Sequence, residues 1–75
     1  MTPEQCRMAR AALKWSLRDL ATRAELSRNT VLFFEKGNPK TSELSIAHIR
    51  SAFAEAGIIF INGDTVTFSR LRKKA

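Results

Sequence analysis

Two helix-start signals, Ser16 and Ser27, stand eleven residues apart, and that spacing constrains the fold more than any other feature of the chain. Each hydroxyl can accept a first-turn amide, and Asp19 adds a negative charge where the helix dipole favours one. The interval holds one short helix with a buried stripe of Leu20, Ala21 and Ala24, then a break at Glu25-Leu26. A third helix follows from Arg28 to Lys36, and Gly37 supplies a left-handed stop. Two short helices joined by about three residues must cross steeply, which demands small side chains where they touch. Ala21 and Ala24 provide them, Leu26 fills the space beneath the turn, and Val31 and Phe34 anchor the third helix from its inner side.

The flanks are readable in the same way. Thr2-Pro3-Glu4-Gln5 is a capping box with proline at the first helical position, opening a first helix to about Lys14 with Cys6, Ala9 and Leu13 inward. Trp15 after it is expected to pack beneath the bundle. Asn38 to Ser42 is a polar loop containing Pro39. A fourth helix is expected from near Ser45, with Leu44 stapled onto Ile49. Its inner arc carries Ile46, Ile49, Ala52, Phe53 and Ala56, while His48, Ser51 and Glu55 lie on a solvated face; Gly57 ends it. The period then changes from helical to alternating. Ile58 to Ile61 and Asp64 to Ser69 around Asn62-Gly63 predict a β-hairpin with a two-residue turn.

Nothing in the composition staples this fold. A chain of 75 residues is one domain of marginal stability. Its single cysteine, Cys6, cannot close an internal disulfide, and with the single histidine, His48, it cannot build a metal site. Helix packing or oligomerisation must supply the rest. The hairpin presents an apolar face of Ile58, Phe60, Val66 and Phe68, and pairing with a second subunit is the preferred cover over packing on the fourth helix.

The formal charge of +6 points toward a polyanionic partner. The longest apolar runs are four residues, Val31 to Phe34 and Ile58 to Ile61, too short for a membrane span or a signal-peptide core. With a lone thiol, a reducing cytoplasm is expected. Ser16, Ser27 and Ser45 read as caps, and no histidine or lysine is spaced to activate a nucleophile, so no enzyme, cofactor or small-molecule ligand is expected.

Turning the third helix by about 100° per residue places Thr30, Val31, Phe34 and Glu35 on one arc and Arg28, Asn29, Leu32 and Phe33 on the other. The outward arc begins at a capped N-terminus, whose unpaired amides suit a phosphate. Arg28 and Asn29 have the side-chain geometry for guanine and adenine in a major groove. Arg70 to Lys74 is a basic tail, read either as a solvated terminus or as a phosphate-tracking arm.

In order and spacing, several pieces resemble the XRE family of helix-turn-helix regulators, the family of lambda repressor and Cro. They are Arg7-x-x-Arg10-x-x-Leu13-x-Trp15-Ser16, Asp19-Leu20-Ala21, Ser27-x-x-Thr30-Val31 and Glu35-x-Gly37, followed by a looser match from Ser45 to Ile58. The resemblance implies an all-α fold, a compact four- to five-helix lambda-repressor-like bundle over residues 1–57, with the motif at 17–36. The hairpin at 58–69 and the tail at 70–75 follow it. It implies a partly buried ion pair between Arg10 and Glu35. It assigns base reading to Arg28, Asn29, Leu32 and Phe33, and phosphate contacts to Ser27, Thr30, Lys36, Asn38, Lys40 and the start of the second helix at Arg18.

Three departures stand out. Leu17 replaces the polar residue common there, Glu25 replaces the usual glycine, and Leu32 and Phe33 put apolar side chains on the DNA face. There they either touch thymine methyl groups, dock a partner protein, or lie in the core of a third helix rotated from that frame. Two functions follow as expectations. The first is a homodimeric transcription regulator on a (pseudo)palindromic operator in double-stranded DNA, with no separate ligand-sensing domain. The second is a protein-interaction module of antitoxin or anti-activator type, docking through an apolar patch of Leu17, Leu32 and Phe33.

Overall fold

Every helix in the computed structural model, which describes residues 1–69, starts on a hydroxyl that takes a first-turn amide. The order is α1 (Pro3–Leu13), α2 (Leu17–Ala24), α3 (Arg28–Glu35), α4 (Glu43–Glu55), β1 (Ile58–Ile61) and β2 (Thr65–Phe68). Thr2 and Gln5 form a reciprocal capping box, with bonds of 3.1 and 2.9 Å. Ser16 and Asp19 form another, at 3.0 and 2.9 Å. The amide and hydroxyl of Ser16 hold the exposed Asp19 carboxyl below its usual range. That small contribution is present above the ordinary aspartate pKa and is lost as pH falls through the lowered one.

The fourth helix begins earlier than the sequence predicts. Its cap is Ser42, whose hydroxyl accepts the amide of Ser45 at 3.1 Å, because the backbone stays extended at Ser42 (ψ 152°) and turns helical from Glu43. Leu44 therefore lies in the first turn, 70% exposed, and makes no staple onto the buried Ile49.

The first three helices end alike. Trp15 and Lys14, Leu26 and Glu25, and Asn38 and Gly37 each return two amides to the preceding turn, the Schellman arrangement. The left-handed position is held by Lys14 (φ 59°), Glu25 (φ 59°) and Gly37 (φ 82°) in turn. Glu25 thus occupies a conformation that glycine adopts without steric cost.

The core is small and closely shared. Leu20, Val31, Ile49, Phe53, Cys6 and Ala9 are fully enclosed, and Ala21, Ala24 and Ala52 let helices approach. Phe53 lies at its centre, stacked on Trp15 (centroids 5.8 Å, planes 13° apart) and edge-on to Phe60 (5.9 Å, 75°). Trp15 is only half-buried: the Arg23 guanidinium lies 4.5 Å from its ring centroid, a cation–π contact. His48 is likewise not simply solvated. Its Nδ1 lies 2.9 Å from the carbonyl of Ala24. A helix leaves its last carbonyls without intrahelical donors, and α4 brings an imidazole to this one.

The hairpin differs from expectation twice. Ile61 pairs with Thr65, so the turn is the three residues Asn62-Gly63-Asp64, with the left-handed conformation on Asn62 (φ 56°). The apolar face assigned to a second subunit is covered within the chain by α1 and α4. Ile58 is buried, Phe60 and Val66 pack against the core, and Phe68 keeps 37% exposure. The cap of α1 explains both corrections. The buried Gln5 amide donates to the carbonyls of Thr65 (2.9 Å), Asn62 (3.1 Å) and Ile61 (3.4 Å), and the Thr2 hydroxyl donates to that of Gly63 (2.9 Å). The longer turn aims its carbonyls at α1 and draws the sheet onto the bundle. The tail read from Arg70 onward lies outside the described residues. Among those described, no helix is long and apolar enough to cross a membrane.

Replacing Gln5 with Ala strips these carbonyls of their donor. It is expected to cost about 1–3 kcal/mol in urea unfolding, with hydrogen exchange accelerating in the hairpin before α3.

Candidate nucleic-acid interface

The orientation of α3 is set from α1. Glu35, the last residue of α3, is 4% exposed, and Arg10 grips its carboxylate with two arms, Nε at 2.6 Å and Nη2 at 2.8 Å. Arg10 also donates through Nη1 to the carbonyl of Trp15 at 3.1 Å, which fixes the guanidinium plane. Arg7 donates to the backbone carbonyl of Glu35. A fourth contact comes from Cys6, whose thiol donates to Glu35 Oε2 at 3.2 Å. Burial, reinforced by the adjacent carboxylate, pushes that thiol well above its ordinary pKa, so it stays protonated and able to donate.

With Val31, Phe34 and Glu35 turned inward, the outermost line of α3 is Asn29 and Phe33, continued by Lys36 at its C-cap, each about one turn apart. Arg28 is exposed beside it at the capped end, and Thr30 and Leu32 flank it half-buried. The Ser27 and Thr30 hydroxyls lie 2.8 Å apart at the start of the helix. Beyond α3 the loop doubles back. Asn38 Oδ1 accepts the amide of Lys40 (2.9 Å), and the Asn38 carbonyl accepts from the Thr41 hydroxyl (3.0 Å). Thr30, Phe33, Asn38 and Lys40 thereby share a groove of about 310 Å³ with Thr41, Ser42 and Ser45.

Of the residues singled out from sequence, the structure gathers Thr30, Phe33, Asn38 and Lys40 on that groove and leaves Arg28, Asn29, Lys36 and Arg18 exposed. It does not assemble the apolar patch. Leu17 packs against the core and Leu32 is half-buried, leaving Phe33, at 51% exposure, as the one large apolar group open there. Sequence reasoning missed Thr41, Ser42 and Ser45 as groove-lining residues and Cys6 and Arg7 as partners of Glu35. The Ser42–Ser45 spacing was the available signal for the first group; nothing local signals the second.

Between Leu17 and Ser42 the exposed charges are Arg18, Asp19, Arg23, Glu25, Arg28, Lys36 and Lys40, a net positive set. Asp19 is further engaged at Ser16 and Arg23 over Trp15. No cluster of histidine, cysteine and carboxylate that could hold a metal ion occurs among the described residues. The chain matches no family model and no curated protein.

Removing one partner of the buried pair leaves an uncompensated charge. Glu35→Ala is expected to destabilise by about 3–5 kcal/mol in thermal or urea melts, and Arg10→Ala comparably. The double variant Arg10→Met/Glu35→Leu is expected to recover most of that loss, which a double-mutant cycle reads directly.

Proposed function

We propose that this chain is a sequence-specific, DNA-binding transcription regulator of the helix-turn-helix type, with the four helices arranged as in the lambda repressor and Cro family. The observation that carries this reading is the outward line of α3. It is polar or basic at both ends, starts at a capped helix terminus and stands beside a loop bearing Lys40. In the proposed complex α3 lies in the major groove. Arg28 addresses the O6 and N7 of guanine, and Asn29 the N6 and N7 of adenine. Ser27, Thr30, Lys36, Asn38, Lys40 and Arg18 hold the flanking phosphates, which fix register without reading sequence.

The regulator acts in the cytoplasm as a homodimer on a (pseudo)palindromic operator, with half-sites about 10–10.5 bp apart or a multiple of it. Because the inner face of the hairpin is used within the chain, the second subunit is assigned to the outer face, where Ile59 and Ile61 are 45% and 42% exposed. A docking module is the weaker reading, since Leu17 packs against the core, Leu32 is half-buried, and Phe33 is the exposed one of the three.

The test is a DNA titration across ionic strength. Arg28→Ala is expected to cost about 1–3 kcal/mol and to relax specificity at one base position. Lys40→Ala is expected to weaken all sequences alike and to lower the salt slope by about one. Binding unchanged by both substitutions overturns the assignment of α3 as the reader. For assembly, Ile59→Lys is expected to convert a sedimenting dimer to monomer, and an unaffected dimer removes the outer sheet face from the interface.

A further inference from the structure

The middle residue of the outward line on α3 is the one that polar recognition leaves unexplained. Phe33 stands one turn from Asn29 on one side and close to one turn from Lys36 on the other, 51% exposed, although its neighbour Phe34 already serves the core at 5%. It is also the apolar wall of the groove that Thr30, Asn38 and Lys40 line, so a polar, basic frame surrounds it. A flat duplex edge of purely polar atoms would lose hydrogen bonds to water against such a ring and gain none. Among the four bases only thymine offers an apolar group in the major groove, its C5-methyl.

We propose that Phe33 is a specificity-determining residue that reads the thymine methyl. The half-site then carries a thymine about one or two base steps from the adenine addressed by Asn29. That distance follows because side chains four apart on a helix lie about 5–6 Å apart and bases are stacked about 3.4 Å apart. This inference rests on the DNA-binding reading above and adds to it the identity of the base beside the adenine. Selectivity comes from both directions: a methyl buried against the ring favours thymine, and stranded polar atoms disfavour guanine and cytosine at that position.

The experiment starts from duplexes selected by the full chain out of a random-sequence pool. Each thymine of the selected half-site is then replaced in turn by deoxyuridine, which removes only the methyl. The wild type is expected to lose about fourfold in affinity at one position, the factor carried by one buried methyl group. Phe33→Ala, at an exposed site and checked for native helicity by circular dichroism, is expected to bind thymine and deoxyuridine duplexes equally. Phe33→Leu is expected to retain part of the discrimination.

A half-site without thymine near the adenine overturns the proposal while leaving DNA binding intact. So does a methyl effect that persists undiminished in Phe33→Ala. If no duplex is retained at low salt, the DNA-binding reading itself fails and takes this inference with it.

Discussion

The buried carboxylate of Glu35 ties the molecule together. It ends α3, and every group that satisfies it comes from α1: both arms of Arg10 and the thiol of Cys6, with Arg7 on the adjoining carbonyl. A charge at 4% exposure is costly unless paired and fully hydrogen-bonded, so the pair is strongly geometric even where its net stabilisation is modest. Its effect is to fix the rotation of an eight-residue helix that could not hold its own orientation. The outward line of Asn29, Phe33 and Lys36 is a consequence of that grip.

The same helix works at its other end. Gln5 sits three residues into the cap of α1 and spends one amide oxygen on that cap and its nitrogen on the hairpin. One short helix therefore sets both the candidate reading surface and the position of the sheet. This economy suits a chain without disulfides among the described residues, where about 60–65% of the unfolded surface is all that folding can bury. It also changes the role of the hairpin. With Ile58 inside the core and Phe60 against Phe53, the sheet acts as a lid of the bundle, and its Ile59 and Ile61 face stays open, with Phe68 exposed at the strand end.

The proposed chemistry and the packing follow from a division of labour along α3. Inward positions satisfy volume and one buried charge, while outward positions carry hydrogen-bonding groups and one exposed aromatic ring. The departures noted in sequence sort the same way. Glu25 accepts a left-handed conformation that two returning amides stabilise. Leu17 packs half-buried against the core, and Phe33 stays exposed.

Much of this was readable in the chain itself, because caps, helical periods and stop signals act over three or four residues. Thr2-Gln5, Ser16-Asp19 and Ser27 mark three helix starts, Gly37 marks a stop, and the period of α3 separates Val31 and Phe34 from Arg28 and Asn29. The spacing of Arg10 and Glu35 suggested a pair only through resemblance, since no local rule joins residues so far apart. What tertiary structure decided lies beyond such short ranges. It brought Cys6 and Arg7 to Glu35, His48 to the carbonyl of Ala24, and Gln5 to the turn of the hairpin. It also set Ser42 rather than Ser45 as the last cap, turned Leu17 inward and lengthened the Asn-Gly turn. The polar pairings of Cys6, Arg7, His48 and Gln5 depend on which groups burial leaves in need of a partner, and that need arises only once the helices have packed.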